Sequence, residues 1–119
     1  MNSFSEISAD ALHTMMADKS LLLVDVRNID EVVRGMLANA AHIPLAMLPA
    51  QFASLPAQFA SLPKADTTVF YCHSGVRSAH AAAYAAELGS KNVYNLTGGI
   101  LAWGRAGLPF VDYQAVKNK

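Results

Sequence analysis

One short segment of this chain combines the residue types that activate a nucleophile. It holds the chain's single cysteine and reads Cys72-His73-Ser74-Gly75-Val76-Arg77-Ser78, between the apolar run Thr67 to Tyr71 and an alanine-rich stretch. A strand, a tight glycine-containing turn and a helix start in immediate succession put Cys72 at the carboxyl end of a parallel strand, where open α/β sheets bind ligands. The backbone N–H groups of residues 73 to 77 are then expected to face the sulfur, with the helix dipole behind them. A free thiol titrates near about 8.5, and a helix N-terminus with an adjacent arginine lowers that to roughly 3.5–7.5. The expectation is a thiolate at neutral pH. The competing reading is a small buried hydrophobe, as most free cysteines are. An inert core cysteine needs no glycine turn, no flanking hydroxyl and no arginine five residues on.

Such a loop needs a scaffold, and the periodicity supplies one. Ser8 precedes a stretch with Asp10 in its first turn and is expected to cap a first helix of about two to three turns. Leu21 to Asp25 is an apolar run short enough for a buried parallel strand. Asn28 to Arg34 reads as a short helix ended by Gly35, and Thr67 to Tyr71 as a second β-rich run. Val76 to Leu88 reads as a helix stopped by Gly89, followed by a short strand over 92–96. Gly98-Gly99 then opens a helix carrying Trp103. Strands alternating with helices imply an α/β fold in three layers, a central and mostly parallel sheet covered on both faces.

With 119 residues there is room for one core, and a single domain over 1–119 is expected. The formal net charge is zero and no run of Lys or Arg occurs, which argues against nucleic-acid and anionic-membrane partners. The amino-terminal residues have neither a basic start nor a long apolar stretch, and the longest aliphatic run, Leu21 to Val24, is too short to span a bilayer. One cysteine forms no internal disulfide, which fits a reducing, cytoplasmic setting. His13, His42 and His80 show no ligand spacing and there is one cysteine, so no structural metal site is expected. Trp103, Phe52 and Phe59 read as core or contact residues.

Between Pro44 and Lys64 the heptapeptide Pro-Ala-Gln-Phe-Ala-Ser-Leu occurs twice in tandem, at 49–55 and 56–62. Two copies do not make a solenoid. Leu45, Leu48, Phe52, Leu55, Phe59 and Leu62 keep a three- and four-residue spacing, while Pro56 opposes one unbroken helix. Two short helices or one kinked helix are the expectation.

The Cys72 loop resembles that of the rhodanese family, whose single-domain members carry Cys-x-x-Gly-x-Arg. Other landmarks of the family recur in order: Asp25-Val26-Arg27, Glu31 and Gly35, Ile43-Pro44, and Leu-Thr-Gly-Gly-Ile-Leu-Ala-Trp at 96–103. The resemblance implies sulfur transfer without a cofactor. Cys72 would take the outer sulfur of thiosulfate as a persulfide and pass it to cyanide or a thiol. His73, Ser74, Gly75, Val76 and Arg77 would bind the donor, and Asp25 and Arg27 would support the loop unless they form only a surface ion pair. Ser74 serves equally well as a turn residue. His73 stands where many single-domain rhodaneses have Arg or Lys, and 35–40 replaces the usual Gly-His-Ile-Pro-Gly-Ala with Gly-Met-Leu-Ala-Asn-Ala. A second reading of the same residues is a carrier or interaction module fed by a sulfur-donating protein. A third, a Cdc25-type phosphatase, is disfavoured because that loop is one residue longer than Cys72 to Arg77.

Overall fold

The computed structural model describes residues 3–17, 20–48, 67–90 and 92–113. Five strands form one parallel sheet: β1 (Ser5–Ile7), β2 (Leu21–Asp25), β3 (Ala41–His42), β4 (Thr67–Tyr71) and β5 (Val93–Leu96). Their order is β1-β5-β4-β2-β3, so β4 and β2 lie at the centre. The register pairs Leu21 with Thr67 and Asp25 with Tyr71, which brings the carboxyl ends of the two central strands level.

Side chains alternate across this sheet, as the two-residue strand period requires. Val24 and Phe70 face one side and pack with Ala81, Ala82, Ala85 and Ala86 of α3 (Val76–Glu87). Leu23, Val69 and Tyr71 face the other, where α1 (Ala9–Met15) contributes Leu12 and α4 (Gly99–Arg105) contributes Ile100 and Trp103. The alanine-rich sequence of α3 therefore has a packing reason, because small side chains let the helix approach the sheet closely. Trp103 is a core residue, as expected, with its indole N–H donating to the Pro109 carbonyl at 2.8 Å.

The expected elements are present with modest boundary shifts. Ser8 caps α1, its Oγ accepting the Ala11 N–H at 3.2 Å. The helix expected over Asn28 to Arg34 contracts to α2 (Ile29–Val32), with Asn28 as its cap. Two short strands, β1 and β3, have no counterpart in the sequence reading. Each depends on a neighbour for its identity, since β1 pairs with β5 and β3 with β2. The tandem copies at 49–62 lie outside the described residues. Among the described residues no helix is long and apolar enough to cross a membrane, and no cluster of His, Cys, Asp and Glu could hold a metal ion.

Candidate functional site

Cys72 directly follows β4, at the centre of the sheet's carboxyl edge. It is 1% exposed, with its sulfur tucked beneath the turn that leads into α3. The Sγ accepts the Gly75 N–H at 3.1 Å and the Ser78 N–H at 3.4 Å, and the Ser78 hydroxyl lies 3.3 Å away. Burial pushes the thiol pKa up, but hydrogen bonds from the Ser78 hydroxyl and from the N–H groups of Ser78, Gly75 and Ser74 outweigh it. The net effect is a thiol below its ordinary value. Of the N–H groups of 73 to 77 expected to face the sulfur, those of Ser74 and Gly75 are donors to it, and Ser78, one residue beyond, joins them.

Two glycines make this turn possible. Gly75 caps α3 at φ 105, a left-handed conformation that side chains disfavour. Gly99, at φ 62, lies so close to the turn that a Cβ there would overlap the His73 carbonyl and reach within 2.6 Å of the Cys72 carbonyl. That proximity lets α4 donate into the loop, from Ile100 N–H to Cys72 O at 2.8 Å and from Leu101 N–H to His73 O at 3.1 Å. In a planar trans peptide the C=O and N–H point in opposite directions. Holding the His73 carbonyl against α4 therefore turns the Ser74 N–H toward the sulfur side.

The segment after β2 lies beside this turn, joined to it by the Val26 N–H donating to Tyr71 O at 3.0 Å. Asp25 is fully buried and Arg27 is 4% exposed, so the alternative of a surface ion pair is excluded. Arg27 Nε and Nη2 donate to Asp25 Oδ1 and Oδ2 at 3.0 and 2.8 Å, and Nη2 also donates to the Gly35 carbonyl at 2.7 Å. Burial opposes the Arg27 charge, yet the Asp25 hydrogen bonds and field leave its pKa raised. The Tyr71 hydroxyl accepts the Leu37 N–H at 3.0 Å, and its burial beside Asp25 keeps it protonated.

Arg77 lies where the spacing puts it, one residue into α3, but its guanidinium is engaged. Nη1 and Nη2 donate to Glu31 Oε1 and Oε2 at 2.8 and 2.9 Å. Glu31 is thereby held down to about 2, mainly by the Arg77 hydrogen bonds. The paired arginine still carries its charge near the loop, and the Cys72 field helps raise its own pKa. Ser74 and Val76 are less buried than the sulfur, Val76 at 66% exposure. His73 is exposed and lines a cavity of about 610 Å³ with Arg27, Glu31, Arg34, Arg105 and Phe110 among its walls. Arg34 and Arg105 make no ion pair among the described residues, so they set the positive character of this cavity.

Three residues around the sulfur were not singled out from the sequence. Ser78 touches Sγ, Asn95 on β5 bonds to Ser78, and Glu6 on β1 bonds to Asn95. Only Ser78 carried a usable signal, as a hydroxyl one helical turn from Gly75. The other two arrive through strand pairing across the sheet.

Comparison with known proteins agrees with this architecture. The chain is 39% identical to a sulfurtransferase of Allochromatium vinosum over 108 residues, which is 90% of this chain and 94% of that one. The crystal structure of a rhodanese-related protein from Thermoplasma volcanium superposes with a TM-score of 0.76 at 29% identity, covering 91% of this chain and 98% of that one. A rhodanese-like domain protein from Staphylococcus aureus gives a TM-score of 0.66 at 28% identity, over 93% and 100% of the two chains. Residues 8–106 match the rhodanese-like domain, and with its parallel sheet and sulfurtransferase relatives the chain belongs to that family.

Proposed function

We propose that the protein is a thiosulfate sulfurtransferase, a single domain over 1–119 in which Cys72 is the catalytic nucleophile. The observation that carries this reading is the sulfur's surroundings: two backbone N–H groups donate to it and a hydroxyl lies within reach of it, a set that favours the thiolate despite burial. The thiolate attacks the outer sulfur of thiosulfate. A Cys72 S–S bond forms, the S–S bond of thiosulfate breaks, and sulfite leaves with the bonding pair. The persulfide then passes its outer sulfur to cyanide or a thiol, regenerating the thiolate. No metal or organic cofactor takes part in this cycle.

His73 and the arginines Arg34 and Arg105 would draw the anionic donor into the cavity, while Ser74, Gly75 and Val76 offer the loop backbone. Arg77, matched by Glu31, would contribute its field and the fixed shape of the loop. Asp25 and Arg27 would support the loop from beneath. The composition and single thiol fit work in a reducing, cytoplasmic setting, with small sulfur donors and acceptors or a sulfur-accepting protein as partners.

One observation favours a carrier module as the second reading. With Cys72 1% exposed and the Arg77 charge matched, a partner protein that opens the loop could be a better donor than free thiosulfate. The mass of the intact protein before and after thiosulfate tests the first reading. A single added sulfur, absent in Cys72→Ser together with thiocyanate formation, is the expected result. An unmodified protein that gains sulfur only from a persulfidated donor protein would move the assignment to the carrier.

A further inference from the structure

The Asn95 side chain joins three elements, and its orientation can be read from what surrounds it. Its nitrogen, Nδ2, faces Glu6 Oε1 and Oε2 at 3.3 and 3.1 Å and the Gly75 carbonyl at 3.1 Å. All three are acceptors, so an amide nitrogen belongs there. Glu6 is held in turn by the Thr97 hydroxyl at 2.8 Å. Oδ1 is therefore the atom that meets the Ser78 hydroxyl, at 2.5 Å. A carbonyl oxygen only accepts and a serine hydroxyl has one proton. At this distance the Ser78 proton lies toward Asn95. What Ser78 presents to Cys72 Sγ, 3.3 Å away, is a lone pair able to accept the S–H of the thiol.

We propose that Asn95 is a positioning residue that competes with the Cys72 sulfur for the single proton of Ser78. In the thiol, S–H donates to Ser78 Oγ and Ser78 donates to Asn95. When the thiol ionises, its proton leaves to solvent and the Ser78 hydroxyl rotates to donate to Sγ. Asn95 Oδ1 loses its donor in a residue only 3% exposed, so each ionisation works against the amide. Once an outer sulfur is attached, Sγ is uncharged and the charge sits one atom further out. The Ser78 proton then returns to Asn95. Asn95 thus keeps the thiol pKa higher than the loop donors alone would set it and the thiolate correspondingly more nucleophilic.

This inference rests on Cys72 as the working nucleophile, but its test needs no sulfur transfer. The full chain has one cysteine, so its ultraviolet thiolate absorbance against pH, with Cys72→Ser as the blank, reports a single group. Asn95→Ala should lower the midpoint, raising the thiolate fraction below it by about three- to tenfold. Ser78→Ala should raise the midpoint. Once Ser78→Ala is in place, adding Asn95→Ala should change nothing further, which a merely structural role would not produce. Glu6→Gln, on an exposed edge-strand residue, should weaken the amide's hold and lower the midpoint in the same Ser78-dependent way. This arm decides the matter if Asn95→Ala does not fold. The remaining titratable groups around the loop are His73 and Arg77, Glu31 on α2, Asp25 at the end of β2 with Arg27 just beyond it, and Tyr71 on β4. They are common to every variant. An unchanged or raised midpoint in Asn95→Ala, or an equal shift when the Ser78 hydroxyl has been removed, overturns the proposal. If thiosulfate adds no sulfur to Cys72 the proposed function fails, while this titration still decides the role of Asn95.

Discussion

At Asp25 and Arg27 two charges are taken out of water within one strand end, and each is tolerable only because of the other. Burying an ion without its partner is costly, and removing one member of such a pair typically destabilises by about 3–5 kcal/mol. Asp25→Asn should therefore lower stability by that order, read as a fall in the urea midpoint, with Arg27 left in a pocket built for its counter-charge. Arg77 and Glu31 are different. Their side chains are 33% and 28% exposed, and exposed pairs contribute less. Because Glu31 is held near 2 when folded against an ordinary 4.5, the pair stabilises at neutral pH. That contribution is lost as the pH falls between these two values. Glu31→Gln should flatten the acid limb of stability in that interval, measured as urea midpoints across the pH range. An unchanged acid limb would mean the pair contributes nothing to folding. Of these four residues the sequence marked Arg77 by loop spacing, and Asp25 and Arg27 through the family resemblance, at a strand end that faces the site. It could not mark Glu31 as Arg77's partner, because the contact spans 46 residues of chain.

The secondary elements were readable where their signal was local. The period and cap of α1, the apolar run of β2 and the glycine stops of α3 all lie within a few residues of what they determine. β1 and β3 were not, because strands of three and two residues carry too little pattern and are defined by the strand beside them. The same distinction separates Gly75, visible as a turn glycine, from Gly99, whose importance comes from how close α4 packs to a loop far earlier in the chain. Gly99→Ala should cost about 1–3 kcal/mol through overlap and left-handed strain. It should also raise the apparent thiol pKa, since moving the His73 carbonyl turns the Ser74 N–H away. Thermal melts and thiolate titration of the variant check both. A stable variant with an unaltered titration would show that α4 does not shape the loop.

Taken as one body, the described chain is a parallel sheet covered on both faces, with Cys72 at the middle of its carboxyl edge. The segment between Leu48 and Thr67 joins β3 to β4 and contains the tandem copies, which lie outside the described residues. Adding seven residues to a connection changes closure entropy little, by about 0.6 kcal/mol per doubling of length. Deleting 56–62 is accordingly expected to leave the fold and the Cys72 chemistry intact, checked by circular dichroism and by sulfur uptake per subunit. In sequence, Phe59 and Leu62 of the second copy continue the apolar three- and four-residue spacing, so the shortened chain is expected to be no more oligomeric than the parent in light scattering. Loss of sulfur uptake in a folded deletion variant would place the repeat at the active site.

The contact between α4 and the Cys72 turn also makes a backbone amide of α4 a reporter of the charge on the sulfur. The Ile100 and Leu101 protons are committed to the carbonyls of Cys72 and His73, and the His73 carbonyl belongs to the peptide unit whose N–H, that of Ser74, faces the sulfur. Charge arriving on the sulfur polarises that unit and strengthens the oxygen at its other end. Deuterium uptake at Leu101 should therefore slow when the thiol ionises, measured against Ile100 as the reference. Ionisation of the Cys72 thiol would then be recorded in isotope exchange at a helix that does not carry it.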